Sequence, residues 1–338
     1  MNLQSMGVGK MDVQKDQIKL SALQPGQTLP LVVEPSEAGL DLLNWAKQNR
    51  AWLEQKLLEH GGILFRNWNV TEIGKFEQFT EVLCPNLEGY TERSTPRSEV
   101  QGKVYTSTSY PADQFIPMHN EMSYAAAWPK KIFFYSVLVA ETGGETPIAD
   151  SREVLKKLDP ELVERIATRK IRYVRNHMEG LDLPWQEVFQ TNDKAEVEAY
   201  CRANGMTWDW KPDGSLRTTA VRDALAKHPV TRETVWFNQL HLFHVSNLPE
   251  EVQEAMVFAL GVENLPRNTY YGDGTPFEPE TLAAIRQAFD EVTISFPWET
   301  GDILMLDNYL VAHGRAPFTG KRQVVVTMGD VTSDRHLE

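Results

Sequence analysis

The chain has 338 residues, of which 41% are hydrophobic and 24% charged, the composition of a globular protein that can bury a large core. Its formal net charge is −13, which disfavours nucleic-acid binding because phosphate contacts need clustered Lys and Arg. Two cysteines, Cys84 and Cys201, are too few for a disulfide framework, and no apolar run approaches transmembrane length. We therefore expect a cytoplasmic protein without nucleic-acid or membrane partners.

The sequence pattern divides the chain into a lead-in and one large domain. Residues 1–35 lack the apolar segment of a secretory signal, and we expect a loosely ordered lead-in with short extended pieces. Residues 36–338 contain no internal repeat, low-complexity segment or charged linker. They are predicted to form a single domain.

Apolar periodicity, capping residues and turn residues predict the elements of that domain. Ser36 is the predicted N-cap of the first helix, and His60-Gly61-Gly62 its end. Predicted helices follow over 71–83, 151–167 (interrupted near Pro160), 194–203, 250–260 and 279–289. Predicted strands cover 63–65, 132–140, 170–175, a hairpin over 208–219, then 235–243, 292–296, 302–306 and 323–328. The predicted fold is mainly β with peripheral helices, of the α+β class.

His119-Asn120-Glu121 is a candidate metal-binding pair. On an extended strand, residues two apart point to the same face, so the imidazole and the carboxylate converge locally. Two His and one carboxylate leave open positions on an octahedral ion, which suits non-haem iron(II) and oxygen chemistry. His177-Met178-Glu179 has the same spacing, but it precedes Gly180 and Pro184. We interpret His177 as a surface loop residue.

The C-terminal block supplies the missing ligand and an anion-binding group. An apolar strand ends near His313, and Arg322 lies nine residues further on, at the start of the next strand. Arg can pair in a bidentate manner with the remote carboxylate of a small dicarboxylate bound to the metal. Thr146 is the candidate hydroxyl beside that Arg. Considered separately, Arg322 is also explained as a solvated charge on an edge strand, and Thr146 as a turn residue. Both explanations together are much less probable than either alone.

These motifs resemble the clavaminate synthase-like branch of the taurine dioxygenase superfamily, especially members from peptide and syringomycin-type biosynthesis. The resemblance spans about residues 36–330. The matching stretches are His60–Arg66, Tyr105–Thr108, His119–Glu121, Gly143–Pro147, Trp236–Asn238, Tyr271–Thr275 and Gly301–Arg322.

The resemblance implies a double-stranded β-helix (jelly-roll) core and an iron(II)- and 2-oxoglutarate-dependent dioxygenase that uses O2. It implies His119, Glu121 and His313 as catalytic iron ligands, and Arg322 and Thr146 as the 2-oxoglutarate site. Glu121 is the acidic ligand of the clavaminate synthase branch, and its presence separates the chain from the halogenases. Because the spacing from His313 to Arg322 is short, Arg315 remains an alternative anchor.

The substrate implied by the resemblance is an amino acid or a related small molecule of secondary metabolism, either free or tethered to a peptidyl carrier protein. Hydroxylation of an unactivated carbon, with release of succinate and CO2, is the expected reaction; desaturation and cyclisation are the alternatives. Trp236 and Asn238 are candidate substrate-binding residues. The loops 106–111 and 271–275 are candidate lids, and His241 and His244 candidate contributors.

Two other classes of function remain open at this point. A jelly-roll binding or sensor protein would keep the strands without needing three ligands and an Arg. A zinc hydrolase would use the same three ligands to activate water, but no HExxH motif is present. Iron dependence and succinate formation separate these classes from a dioxygenase.

Overall fold

The computed structural model describes residues 15–87, 99–106 and 110–337. The strands are β1 Ile18–Ala22, β2 Leu31–Pro35, β3 Gly62–Phe65, β4 Glu99–Gln101, β5 Val104–Thr106, β6 Ile116–His119, β7 Trp128–Leu138, β8 Thr142–Gly143, β9 Ile148–Asp150, β10 Ile171–His177, β11 Met206–Trp210, β12 Leu216–Arg222, β13 Leu225–Lys227, β14 Thr234–Trp236, β15 Arg267–Tyr271, β16 Ile303–Asp307, β17 Val311–Arg315, β18 Phe318–Thr319 and β19 Gln323–Thr332.

Ten α-helices alternate with these strands along the described parts of the chain. They are α1 Leu42–Gln48, α2 Arg50–His60, α3 Ile73–Leu83, α4 Ser151–Lys157, α5 Pro160–Arg169, α6 Trp185–Phe189, α7 Lys194–Ala203, α8 Leu240–Phe243, α9 Glu250–Leu260 and α10 Pro279–Val292. Within the described ranges, no helix is both long and apolar enough to cross a membrane.

An eight-stranded sheet in the order β1-β2-β3-β16-β7-β19-β5-β4 is the largest layer. Its central strands are buried on both faces because alternate side chains enter different cores. In β7, Phe133 and Tyr135 pack with the apolar residues of α1, α2 and α3, whereas Ile132 and Phe134 pack toward β9 and β17. The sequence 132–140 was predicted to be such a buried strand; a strand is confirmed over 132–138, but it begins earlier, at Trp128, and ends at Leu138, which is 42% exposed.

A three-stranded sheet in the order β6-β17-β9 carries the two candidate metal-binding histidines. Its central strand β17 is fully buried, and its apolar residues join the same core as Phe134 of the large sheet. His313 of β17 is paired in register with His119 of antiparallel β6 on one side and with Ile148 of β9 on the other. The small sheet therefore brings together segments almost two hundred residues apart.

The beginning of the chain differs from the prediction. Of the expected loose lead-in, residues 18–22 and 31–35 form β1 and β2, and β2 pairs in parallel with β3 in the large sheet. The first helix begins one turn later than predicted, because Asp41 rather than Ser36 accepts the capping bond from the N–H of Asn44. It is also broken at Asn49 into α1 and α2. The predicted end is confirmed, with Gly61 in the left-handed conformation at φ 76°.

Two predicted strands are wrong over part of their length. The segment 235–243 forms the short strand β14 and then, after a turn, helix α8. Its apolar residues fill the core in both conformations, and an apolar run alone does not separate the two. The segment 292–296 makes only an isolated bridge between Ile294 and Ile148. The hairpin of β11 and β12 and helices α4, α5, α7, α9 and α10 agree with their predictions.

Candidate metal centre and substrate pocket

His119, Glu121 and His313 come together in the structure. One ligand atom from each side chain lies within 4.8 Å of the others, and Glu121 and His313 are 2% and 4% exposed. The Nε2 atom of His313 is 3.8 Å from Oε2 of Glu121. Two imidazoles and one carboxylate on one side of a shared point fit an iron(II) ion that keeps open coordination positions.

The orientation of both imidazoles is set by their surroundings. Nδ1 of His119 lies 2.8 Å from the carbonyl oxygen of Pro117, so a hydrogen on Nδ1 leaves Nε2 as the ligand atom. The ring of His313 packs edge-on against Phe134 at 5.0 Å between centroids, and the two imidazole centroids are 4.5 Å apart.

Glu121 does not lie on a strand, as the spacing argument assumed, but in the turn after β6. Asn308 holds that turn in place from the loop between β16 and β17. Its Oδ1 accepts from the N–H of Glu121 at 2.7 Å, and its Nδ2 donates to the carbonyls of Glu121 and Pro129 at 2.9 and 2.8 Å. The carboxylate therefore reaches the histidines because a distant amide fixes its backbone.

Asn120, between the two ligands, closes the same network. Its Nδ2 donates to the carbonyl of Asn308 at 2.8 Å, and its own carbonyl accepts from Nε2 of Gln239 at 2.8 Å and from Ser123 Oγ at 2.9 Å. Sequence reasoning did not identify these positioning groups. The signal available was the presence of two amide side chains inside otherwise apolar, ligand-bearing blocks, where a buried amide needs partners.

A cavity of about 520 Å³ opens beside His119 and Glu121. Most of its wall is apolar, formed by residues of the segments 181–183, 240–252 and 256–266. Among them are Leu181, Leu242, Phe243, Leu248, Val252 and Met256. Its volume is that of a small-molecule site. Of the two histidines considered as contributors, His244 lines this cavity, whereas His241 lies outside its lining and bonds the carbonyl of Met118 through Nε2 at 3.0 Å.

One charged cluster interrupts the apolar wall. Asp182 and Arg267 both line the cavity, and Arg267 pairs with Asp182 through Nε at 2.7 Å and through a second, short bond from its terminal nitrogen. The guanidinium of Arg175 lies 3.7 Å from the same carboxylate. Burial alone would raise the pKa of Asp182, but Arg267, Arg175 and the N–H of Leu183 lower it to about 2. The cluster is therefore ionised and carries more positive than negative charge.

His177 was expected on the surface and is instead buried, only 2% exposed, as the last residue of β10. Its Nε2 lies 3.0 Å from Oγ1 of Thr218 on the neighbouring strand. Burial, with the nearby Arg175 guanidinium, lowers the pKa of His177 to about 3, so the ring is neutral. The interpretation as a loop residue failed because β10 continues two residues further than its apolar pattern suggests.

Arg322 borders a second, smaller cavity of about 170 Å³, whereas Thr146 is outside its lining and contacts it through Trp298. Nε of Arg322 donates to the carbonyl of Gly144 at 2.7 Å. Trp298, on the same wall, donates from its indole to Oγ1 of Thr146 at 3.2 Å. Gly144, at φ 76°, is required here, because a Cβ would come within 2.9 Å of the Arg322 side chain. Burial and the nearby Arg315 guanidinium lower the pKa of Arg322 to about 10.

Arg315, the alternative anchor, is 6% exposed and is engaged with the backbone of the segment 110–114. Its terminal nitrogens donate to the carbonyls of Tyr110, Pro111 and Gln114 at 2.9, 2.5 and 2.9 Å. These bonds tie a segment that borders the metal cavity to β17. They make Arg315 a structural group more than an anion-binding one.

The candidate substrate-binding residues are not brought to the cavity. Trp236 and Asn238 are both 0% exposed and are absent from the lining of the metal cavity. Nδ2 of Asn238 donates to the carbonyl of Ala224 at 2.9 Å, and its Oδ1 caps the N–H of Leu240, so this side chain shapes α8. Of the candidate lids, 271–275 is also outside the lining. Tyr110 of 106–111 lines the cavity, and residues 107–109 lie outside the described ranges.

Comparison with known proteins decides which chemistry this site serves. The family model "Taurine catabolism dioxygenase TauD, TfdA family" matches residues 23–328. The chain belongs to this family. It is a non-haem iron(II)- and 2-oxoglutarate-dependent oxygenase that uses O2. This excludes the binding-protein and zinc-hydrolase alternatives.

Two curated relatives of this TauD-family oxygenase cover most of its length. The dapdiamide synthesis protein DdaC of Enterobacter agglomerans is 44% identical over 278 residues, covering 82% of this chain and 84% of that protein. A clavaminate synthase-like protein of Arabidopsis thaliana is 29% identical over 318 residues, covering 88% and 93%. The resemblance inferred from the motifs is thereby confirmed.

Solved structures of related enzymes share the fold. The PvcB protein of Pseudomonas aeruginosa superposes with a TM-score of 0.56 at 14% identity, covering 96% of this chain and 95% of that one. AAD-2 in complex with Mn(II) and N-oxalylglycine superposes with a TM-score of 0.54 at 15% identity, covering 94% and 99%. The core of the TauD-family chain is accordingly the double-stranded β-helix predicted from the resemblance.

Proposed function

We propose that this oxygenase hydroxylates an unactivated carbon of an amino acid or an amino-acid-derived small molecule in secondary metabolism. In the overall reaction the substrate, 2-oxoglutarate and O2 become hydroxylated substrate, succinate and CO2. The observation that carries the proposal is the His119, Glu121 and His313 cluster, of which His119 and Glu121 line a cavity of about 520 Å³. DdaC is named as a dapdiamide synthesis protein, and its 44% sequence identity to this chain supports the assignment to secondary metabolism.

The proposed cofactor site uses residues of the two sheets. His119, Glu121 and His313 would hold iron(II), which would activate O2, the oxidant, with 2-oxoglutarate as the co-substrate. Arg322 pairs with the remote carboxylate of 2-oxoglutarate, and Thr146 provides the neighbouring hydroxyl. The pKa of Arg322, although lowered to about 10 by burial, keeps the guanidinium charged at neutral pH, and a bound carboxylate would offset that burial.

The protein's part in this reaction is placement. Asn308 and Asn120 hold the backbone that carries Glu121, and the Pro117 carbonyl fixes the ring of His119. The apolar wall of the cavity excludes water from the position next to the ligands. A substrate carbon at this position would lie close to the bound iron without coordinating it.

The charged cluster supports an amino-acid-like substrate. Arg267 and Asp182 present a cation and an anion at one place in an otherwise apolar cavity, and such a pair can bind a carboxylate and an ammonium together. The side chain of Arg267 is 26% exposed, whereas that of Asp182 is 4% exposed, so Arg267 is the accessible partner. We propose that Arg267 binds the carboxylate or carbonyl end of the substrate, whether this is free or held on a peptidyl carrier protein.

The first experiment tests the cofactor site without a substrate. Iron(II) and then 2-oxoglutarate are added to the protein without oxygen, and the visible charge-transfer band of chelated iron is recorded. The band should form in the parent, disappear in His313→Ala and need a higher 2-oxoglutarate concentration in Arg322→Ala. Arg50→Ala, which removes an exposed Arg on α2, is the matched control and should behave as the parent. A parent without the band would contradict the assignment of the ligands.

The second experiment tests the substrate class. Succinate formation is measured with a panel of free amino acids and then with the same amino acids loaded on a carrier protein. Arg267→Gln should raise KM about tenfold with a smaller change in kcat, because Arg267 binds a part of the substrate remote from the reacting carbon. Equal KM values in the parent and Arg267→Gln would remove Arg267 from the proposal while leaving the metal site intact.

A further inference from the structure

A third cavity, of about 470 Å³, shares no lining residue with the metal cavity. It is formed by the turn around Ala125, the end of β12 and the C-terminal segment 333–337. Its charged residues are Arg222, Arg232, Arg335, His336, Asp223 and Asp334. In a chain with a formal charge of −13, three arginines at one cavity are a local reversal of charge.

One aspartate of this cavity pairs with a lysine, and the other lies beside a histidine. Oδ1 of Asp223 lies 3.0 Å from Nζ of Lys170, outside the lining, and Oδ2 of Asp334 lies 2.9 Å from Nδ1 of His336. Neither aspartate pairs with a guanidinium. Within the part of the chain that the structure describes, no carboxylate oxygen lies within 4.0 Å of Arg222, Arg232 or Arg335.

The hydrogen bonds of these arginines go to carbonyl oxygens, which carry no net charge. Arg335 donates to the carbonyls of Phe237 and Ser123 at 2.8 and 2.6 Å, and it is 8% exposed. Arg222 donates to the carbonyls of Val221 and Asn204 at 3.2 and 3.0 Å, while its buried Nε–H has no acceptor. Burial, with a smaller contribution from the charge of Arg222, lowers the pKa of Arg335 to about 10, although the charge of Asp223 acts in the opposite direction. The cavity therefore holds three guanidinium groups that make no direct ion pair with its aspartates.

We propose that this cavity is a binding site for the phosphate group of a phosphorylated small molecule. Arg222 and Arg232 donate to the phosphate oxygens. Arg335 is buried and contributes its positive charge, while its hydrogen bonds to Phe237 and Ser123 hold the C-terminal segment. Guanidinium groups match the geometry of phosphate oxygens, and several of them favour an anion of more than one charge over a simple carboxylate. A volume of 470 Å³ exceeds that of a phosphate ion and leaves room for the organic part of the ligand.

The test uses pyrophosphate as the probe, titrated into the full-length protein by calorimetry at low ionic strength. Saturable one-to-one binding is expected in the parent, and the double variant Arg222→Gln/Arg232→Gln should bind about a hundredfold more weakly, about tenfold for each lost charged contact. Arg217→Gln is the matched control, since Arg217 lies on the same strand but outside the cavity lining, and it should bind as the parent does.

Further arms separate a built site from general attraction of anions. Acetate, a simple carboxylate, should compete poorly with pyrophosphate, and the 2-oxoglutarate band at the iron site should be unchanged in Arg232→Gln, whose side chain is exposed. Absence of saturable binding in the parent, or equal weakening in Arg217→Gln, would overturn the proposal. Loss of the iron-site band in the parent would contradict the proposed oxygenase site and would leave this one untouched.

Discussion

At the metal centre, single amide side chains act on the ligands through the backbone. Asn308 makes two hydrogen bonds to Glu121 in the turn that carries it and a third to Pro129 of β7, and all three residues are buried. Groups that orient metal ligands in this way typically contribute ten- to a hundredfold, roughly, to metal affinity. The loop between β16 and β17 is therefore part of the site although it supplies no ligand.

We expect Asn308→Ala to weaken iron(II) binding by roughly ten- to a hundredfold, because the turn loses both its donor and its acceptor. Iron affinity is measured by titration of the charge-transfer band at saturating 2-oxoglutarate, and thermal unfolding is recorded in parallel. Asn44→Ala on the exposed side of α1 is the control. An Asn308→Ala protein that folds and binds iron like the parent would show that Glu121 is held by other groups.

A second residue-scale prediction concerns acid stability. His177 is neutral in the fold with a pKa of about 3, whereas its pKa in the unfolded chain is about 6.5. Between these values the unfolded chain binds the additional proton, so the free energy of unfolding falls as the pH falls, by about 1.4 kcal/mol per pH unit. The stability contributed by neutral His177 is complete above pH 6.5 and is lost toward pH 3.

Replacing His177 with Gln should reduce this dependence on pH. Urea unfolding between pH 6 and pH 4 should show a slope smaller by about 1.4 kcal/mol per pH unit in His177→Gln than in the parent. The variant is expected to be less stable at pH 7, since the contact with Thr218 changes, but flatter in acid. Equal slopes in the two proteins would mean that His177 titrates normally in the fold.

At the scale of elements, α9 differs from the other long helices in its packing. None of its residues is buried, Phe258 is 95% exposed, and Val252 and Met256 border the metal cavity. By contrast, α10 buries five residues, including Leu282, Ile285 and Phe289. Local unfolding is easiest where few apolar contacts are buried. One wall of the metal cavity is thus formed by a helix, α9, that buries none of its side chains.

We expect the amides of α9 to exchange with deuterium at least about a hundredfold faster than those of α10, given this difference in burial. Binding of substrate with iron(II) and 2-oxoglutarate should slow exchange in α9, because Val252 and Met256 would then contact the ligand. Mass spectrometry of peptides covering 250–260 and 279–292 measures both. Protection of α9 equal to that of α10 in the protein alone would contradict this view of the cavity wall.

At the scale of the whole molecule, the large sheet separates two cores. Phe79 of α3 packs on one face, at 5.0 Å from Phe65 between ring centroids, and Phe134 lies on the other face against His313. Truncating either ring costs the transfer energy of the side chain plus the cavity it leaves, about 3–5 kcal/mol. Only the second core contains the metal ligands.

We therefore expect Phe79→Ala and Phe134→Ala to lose similar stability but to differ at the site. Phe79→Ala should retain the iron affinity of the parent when folded, whereas Phe134→Ala should lose part of it because the ring that supports His313 is gone. Chemical unfolding and iron titration at low temperature, where both variants stay folded, make the comparison. An equal loss of iron affinity in both would mean that the two cores are coupled through the sheet.

Much of the site was predictable from the sequence because its signals are local. His119 and Glu121 are two residues apart, and His313 follows an apolar strand, so residue type and position along an element identify all three. Family membership and the main helices follow from similar patterns. Neither the Arg267–Asp182 pair nor the Asn308–Glu121 bonds could be predicted, since their partners are 85 and 187 residues apart. Trp236 and Asn238 lie in the core and not in the lining of the metal cavity. Residue type alone does not distinguish a buried core position from a pocket wall.

By itself, the sequence determined the candidate ligand residues and the mainly β pattern, because these depend on composition and on the spacing of a few residues. Only the tertiary structure decided that β1 and β2 extend the large sheet, that Asp182 and Arg267 line the metal cavity and that three arginines meet at another cavity. The physical reason is that strand pairing and charge clustering join residues far apart in the chain. Their free energy therefore depends on which segments become neighbours and which groups lose water.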